Sequence, residues 1–206
     1  MLGFYNYTVA LTYVGMLVAF AGVTFAMDGK TLEALFCLML AGVCDMFDGK
    51  IASTMERTKQ EKRFGVQIDS LSDLVSFGVL PAVIVYATSP DGKFTHAIAG
   101  FYLLCALIRL AWFNVNEEER QDASSGPRES YLGLPVTTSA FFLPTLLGVG
   151  YLRDWELATI GTAVLGVMAL AFLTPFSLRK PKTAGMIGML MFGCFELLIL
   201  LTGIKK

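Results

Sequence analysis

Tyr5–Met27 reads YNYTVALTYVGMLVAFAGVTFAM and contains no Asp, Glu, Lys or Arg. A helix needs about 20 predominantly apolar residues to cross the hydrocarbon of a bilayer, and this run supplies them. No Lys or Arg precedes it, and its apolar stretch is longer than the roughly 7–15 residues of a cleaved leader. We therefore expect a retained transmembrane helix. Three further runs are uncharged: Leu74–Pro90, Ser130–Leu152 and Leu157–Leu178, the last broken near its end by Pro175. Thr31–Phe47, Phe94–Asn116 with His96 and Arg109, and Thr183–Ile204 with Glu196 are apolar with one or two polar interruptions.

The expected fold class is all-α, a polytopic integral membrane helical bundle of about 6–8 transmembrane helices, in a single domain over residues 1–206. Composition agrees. Of the 206 residues 55% are hydrophobic and 16% charged, against about 45–50% and about 25% in soluble domains, and the mean hydropathy is +0.62. With 16 Lys+Arg against 17 Asp+Glu there is no basic field to hold a nucleic acid. Cys37, Cys44, Cys105 and Cys194 stand singly in apolar runs, so neither a zinc site nor a disulfide framework is expected, only buried small hydrophobes.

Short connectors alternate with longer charged ones at Gly49–Gly65, Glu117–Glu129 and Arg179–Lys182. The longer set holds Lys50, Arg57, Lys59, Lys62, Arg63, Arg120, Arg128, Arg179, Lys180 and Lys182, twice as many cations as the opposite side. The positive-inside rule then puts these loops and the N-terminus in the cytoplasm, in a cytoplasmic (inner) membrane.

Carboxylates are expensive inside a membrane segment. Asp45 and Asp48 nonetheless close the second span, and Asp69 and Asp73 open the third. Spacings of i,i+3 and i,i+4 put each pair on one helical face, and an antiparallel hairpin can turn the two faces toward each other. Any one such Asp reads most simply as a solvated helix end; four on matched faces do not. They need a counter-charge, and a hard divalent cation, which prefers oxygen ligands, supplies it. The lack of convergent His and Cys argues against zinc or copper. Gly49, Ala52 and Gly65 lie between the acids, where small residues let a ligand or another helix approach.

The run Asp45-Met-Phe-Asp48-Gly49-Lys-Ile-Ala52, followed by Gly65-Val-Gln-Ile-Asp69-Ser-Leu-Ser-Asp73, resembles the CDP-alcohol phosphotransferase signature D-x2-D-G-x2-A-R-x8-G-x3-D-x3-D. Ser53 stands where the pattern has Arg, and 12 residues instead of nine separate Ala52 from Gly65. Arg57 or Lys50 is the candidate to replace the missing cation. Asn6-Tyr-Thr8, Leu74–Pro81, Arg109–Asn114 and Tyr131–Pro135 are similar to the bacterial phosphatidylserine synthase branch of that family.

The resemblance implies a phosphatidylserine synthase reaction, transfer of the phosphatidyl group from CDP-diacylglycerol to L-serine with release of CMP. It implies Mg²⁺ or Mn²⁺ as cofactor, two ions held by Asp45, Asp48, Asp69 and Asp73, with Asp73 also the catalytic base. It places Asn6, Thr8, Gly49, Ala52, Arg57 and Gly65 around the CDP moiety, Arg109 and the Tyr131–Pro135 turn toward the acceptor, and the chain in a homodimer. Glycerol 3-phosphate or inositol phosphate would use the same acids, although a doubly charged acceptor calls for a denser basic pocket than Arg109 offers. A divalent-cation channel or carrier is the competing class. It would need polar residues through the membrane depth, and here the acids gather at one end.

Overall fold

The computed structural model describes residues 3–123, 130–179 and 183–204. It is a helical bundle of α1 (Tyr7–Met27), α2 (Thr31–Ala52), α3 (Lys59–Asp73), α4 (Leu80–Ala87), α5 (Lys93–Ala123), α6 (Ser139–Leu152), α7 (Leu157–Leu173) and α8 (Thr183–Ile204). A π-helical segment, Leu74–Val79, joins α3 to α4, so Lys59–Ala87 forms one continuous rod. That rod, α1 and Lys93–Glu119 of α5 are each long and apolar enough to cross a bilayer, and Val136–Leu152, Leu157–Leu173 and Met191–Gly203 are shorter apolar helices. Large apolar side chains lie exposed on the outside, among them Leu17, Phe20, Leu104, Ile108, Val167, Leu170 and Leu198. Such a surface would be a liability in water and is the expected one in lipid.

Inside, Leu35, Leu38, Phe77, Leu80, Ile84, Tyr102, Leu143, Leu147 and Leu165 form the core. Between helices in lipid, close backbone approach replaces the hydrophobic drive, and small residues permit it. α1 buries Thr8, Thr12, Gly15, Ala19, Gly22 and Ala26 at alternating spacings of four and three, which is one stripe facing α2. A Cβ added at Gly22 would stand 2.8 Å from Cys37 Cβ and 2.9 Å from Leu80 Cδ2, so the site admits no side chain. This contact places α1 on α2 and brings Thr8 and Thr12 to the end of α2 that carries Asp48.

Several expected boundaries move. α2 runs to Ala52 and α3 starts at Lys59, so the Gly49–Gly65 connector is mostly helix. Thr58 and Glu61 form a reciprocal capping box that starts α3 here. α5 continues past Asn114 to Ala123, through Glu117, Glu118 and Glu119, good helix formers that need no apolar neighbours. Residues Ser130–Leu132 (β1) and Ser177–Arg179 (β2), all but Arg179 expected within spans, pair as a short antiparallel ribbon instead. Gly133 ends β1 at φ 75°, a conformation that favours glycine. α7 stops at Leu173, before Pro175 as expected. Cys37, Cys44 and Cys105 are buried, but Cys194 is exposed on α8, a correction to the expectation that all four are buried. Arg128, Lys180 and Lys182 lie outside the described residues.

Candidate active site and metal centre

Three helical segments converge: the start of α1, the end of α2 and the length of α3. Asp45, Asp48 and Asp69 each offer a carboxylate oxygen, and the three oxygens lie within 4.8 Å of one another. One octahedral ion with bonds of about 2.0–2.1 Å holds trans oxygens about 4.2 Å apart, so small side-chain rotations suffice to ligate one. The donor set, carboxylates with neither imidazole nor thiolate, fits a hard divalent cation. Asp73 stands outside the trio, with its carboxyl in hydrogen-bond range of Asp45, while Asp48 faces Asp69 in the same way. Carboxyls that close together require a shared proton or a cation between them.

Asp48, the most buried of the four, accepts from the Thr12 hydroxyl at 3.0 Å. Thr12 lies one turn after Thr8, and that spacing alone places it on the same face, a signal in the sequence that points to the site. α3 is held on both sides: Ser72 Oγ donates to the Thr12 carbonyl at 3.3 Å, and Ser70 Oγ donates to Asn114 Oδ1 at 2.5 Å. Asn114 is therefore a tie between α5 and α3.

A hollow of about 230 Å³ opens beside the acids, lined by Thr8, Val9, Thr12, Asp48, Gly49, Ala52, Arg57, Lys62, Gly65, Val66 and Asp69. Arg57 passes over Gly65: a Cβ on that glycine would lie 3.0 Å from an Arg57 guanidinium nitrogen. Gly65 thus leaves room for the cation that stands in the loop where the motif arginine is absent. Ser53, at the missing arginine's position, is exposed and donates its hydroxyl to the Lys50 carbonyl at 2.7 Å. Lys62, on the first turn of α3, also lines the hollow.

Asn6 and Arg109 do not line the hollow. Asn6 caps α1, accepting from the Thr8 amide at 3.2 Å, and donates to Glu61 Oε1 at 3.3 Å, so it links the starts of α1 and α3. Arg109, 7% exposed, donates from Nε to the Leu134 carbonyl at 3.3 Å and lies over the Phe113 ring. It fastens the Gly133–Leu134 turn, which leads into the Val136–Thr138 turn that borders the π segment after Asp73. Glu196 is buried on α8 and accepts from the Thr145 hydroxyl of α6.

With this geometry in place, the whole-chain comparison decides the lineage. The family model of CDP-alcohol phosphatidyltransferase matches residues 5–197. The chain belongs to the CDP-alcohol phosphatidyltransferase family. Among its relatives, the CDP-diacylglycerol–serine O-phosphatidyltransferase of Saccharomyces cerevisiae is 36% identical over 150 residues, covering 68% of this chain and 52% of that protein. The archaetidylserine synthase of Methanothermobacter thermautotrophicus is 29% identical over 168 residues, 81% of this chain and 66% of that one. The CDP-diacylglycerol–serine O-phosphatidyltransferase of Mycobacterium leprae is 31% identical over 145 residues, 68% of this chain and 46% of that one. The chain thus spans about half to two thirds of the length of the curated relatives it matches. For a member of the CDP-alcohol phosphatidyltransferase family, the aspartate cluster falls inside the matched region, and so does the hollow.

Proposed function

We propose that this chain transfers the phosphatidyl group from CDP-diacylglycerol to L-serine, giving phosphatidylserine and CMP. The observation that carries the reading is the convergence of three carboxylate oxygens within 4.8 Å on the wall of a hollow that also holds two cations, Arg57 and Lys62. At about 230 Å³ the hollow is smaller than the roughly 300 Å³ at which pockets for whole drug-sized ligands begin. It suits a polar head whose acyl chains remain in the bilayer. The serine acceptor is supported by the names of the relatives.

Asp45, Asp48, Asp69 and Asp73 would hold Mg²⁺ or Mn²⁺, two ions in our reading. Bound there, the ions would neutralise the diphosphate and stabilise charge on the departing CMP. Thr8, Gly49, Ala52 and Gly65 offer little side-chain bulk, so they let the nucleotide lie against the backbone. Arg57 and Lys62 face the phosphates, and Asn6 holds Thr8 and Glu61 in register. Arg109 acts toward the acceptor through the Leu134–Pro135 turn that it fastens. Asp73 takes the proton from the serine hydroxyl; the hydroxyl oxygen bonds to the phosphorus that carries diacylglycerol, and the bond from that phosphorus to the CMP oxygen breaks. Positioning and charge stabilisation carry most of such a reaction.

We place the chain in a cytoplasmic (inner) membrane with the hollow facing the cytoplasm, on the strength of Lys50, Arg57, Lys59, Lys62 and Arg63 at that end, and as a homodimer by analogy with the family. A divalent-cation carrier would also use intramembrane acids, but Arg57 and Lys62 beside them oppose cation passage. The deciding assay offers CDP-diacylglycerol and Mn²⁺ with serine, glycerol 3-phosphate, inositol or inositol phosphate and measures CMP. We expect release with serine; turnover confined to another acceptor would overturn the assignment.

A further inference from the structure

Leu74–Val79, immediately after Asp73, is wound as a π-helix, its last bond running from the Leu80 amide to the Val75 carbonyl. A π turn holds one residue more than an α turn, so it rotates the helix before it against the helix after it by about 100° relative to an unbroken α-helix. The chain has a reason to widen here. Pro81 lacks an amide proton, so the Phe77 carbonyl four residues earlier receives no helical bond from it. That carbonyl accepts instead from the Tyr102 hydroxyl of α5 at 2.6 Å and faces the Ser139 hydroxyl of α6 at 3.5 Å. Both donors are 0% exposed.

The rod is pinned on either side of the π turn. Before it, Ser70 is tied to Asn114 and Ser72 to the Thr12 carbonyl. After it, Leu80 packs against Gly22 of α1, and Ile84 and Val85 are buried in the core. Each half is tied to different neighbours, and both sets of ties form together only when the turn between them is wound to the angle that separates the acidic face of α3 from the apolar face of α4. We propose that Tyr102 and Ser139 are positioning residues for the transferase: by holding the Phe77 carbonyl they keep the π turn wound and fix the direction in which Asp69 and Asp73 face Asp45 and Asp48. The inference rests on the cation-holding role proposed above for those acids.

The test uses Tyr102→Phe, which removes one oxygen and leaves the ring beside Phe172, and Ser139→Ala. Mn²⁺ affinity is read from free Mn²⁺ by electron paramagnetic resonance on purified protein in detergent, beside CMP release and the melting temperature. Tyr102→Phe should weaken Mn²⁺ binding about tenfold, the lower end of the roughly 10–100-fold cost of disturbing the orientation of metal ligands. It should also lower kcat about tenfold while the KM for CDP-diacylglycerol stays within about twofold. Ser139→Ala should act in the same direction and less, its contact being longer, and it carries the test if Tyr102→Phe does not fold. A lower melting temperature with Mn²⁺ affinity and kcat within about twofold of the parent in both variants would make the bonds merely structural and overturn the proposal alone. Parent protein that neither binds Mn²⁺ nor releases CMP would overturn the functional reading, and this inference with it.

Discussion

Among the described residues, two regions of the bundle bury carboxyl groups among apolar helices, and they do so differently. At the α1–α2–α3 end, Asp45, Asp48 and Asp69 crowd together, Asp73 touches Asp45, and a hollow with Arg57 and Lys62 opens beside them. On α8, Glu196 lies against the Thr145 hydroxyl. A single buried carboxyl is satisfied by one hydrogen-bond partner and can serve packing. A group of four, facing in two pairs at hydrogen-bond range, is costly unless a cation shares it. The contrast teaches that burial of an acid does not by itself mark chemistry; convergence beside a solvent-reachable hollow does.

The largest expected effect separates the two regions outright. Asp69→Asn or Asp73→Asn should reduce CMP release by about 10³-fold with the melting temperature in detergent preserved, whereas Glu196→Gln should keep turnover within about twofold. Comparable losses at both places would erase the distinction. Addition of excess chelator should stop turnover, and Mn²⁺ or Mg²⁺ should restore it; activity that persists in chelator would remove the metal from the account. Arg57→Ala should raise the KM for CDP-diacylglycerol about tenfold, the worth of a charge-assisted contact, with a smaller change in kcat. Gly65→Ala should act in the same direction, since its Cβ would press on the Arg57 guanidinium at 3.0 Å. The smallest effect is expected at Thr12→Val, which leaves Asp48 in place and removes the bond that orients it. Mn²⁺ affinity measured by titration should fall several-fold, less than the roughly 10–100-fold cost typical of losing an outer-shell partner.

The same two regions show what a sequence discloses. The helical rods were legible because lipid demands long uncharged runs, and Tyr5–Met27 meets that demand within itself. The aspartates were legible because their spacing is a local, helical property. The capping box at Thr58 and Glu61 was also written locally, as T-x-x-E, and marks where α3 starts. What lay hidden depends on contacts distant in the chain. The π turn is a compromise between Pro81 and two hydroxyls on other helices. The β1–β2 ribbon joins stretches that each read as the edge of a span. Arg109 is read from the resemblance as a contact for the acceptor, yet its Nε holds the Leu134 carbonyl. Glu196 could be placed on an apolar helix, but no pattern named Thr145 as its partner.

The most direct measurement of the central claim is the anomalous signal of Mn²⁺ in crystals of the full chain grown with CDP-diacylglycerol. We expect a peak in ligand contact with oxygens of Asp45, Asp48 and Asp69, beside the diphosphate and within the hollow that Arg57 and Lys62 line. A well-ordered nucleotide with no metal among those three carboxylates, or a metal bound elsewhere in the bundle, would contradict it.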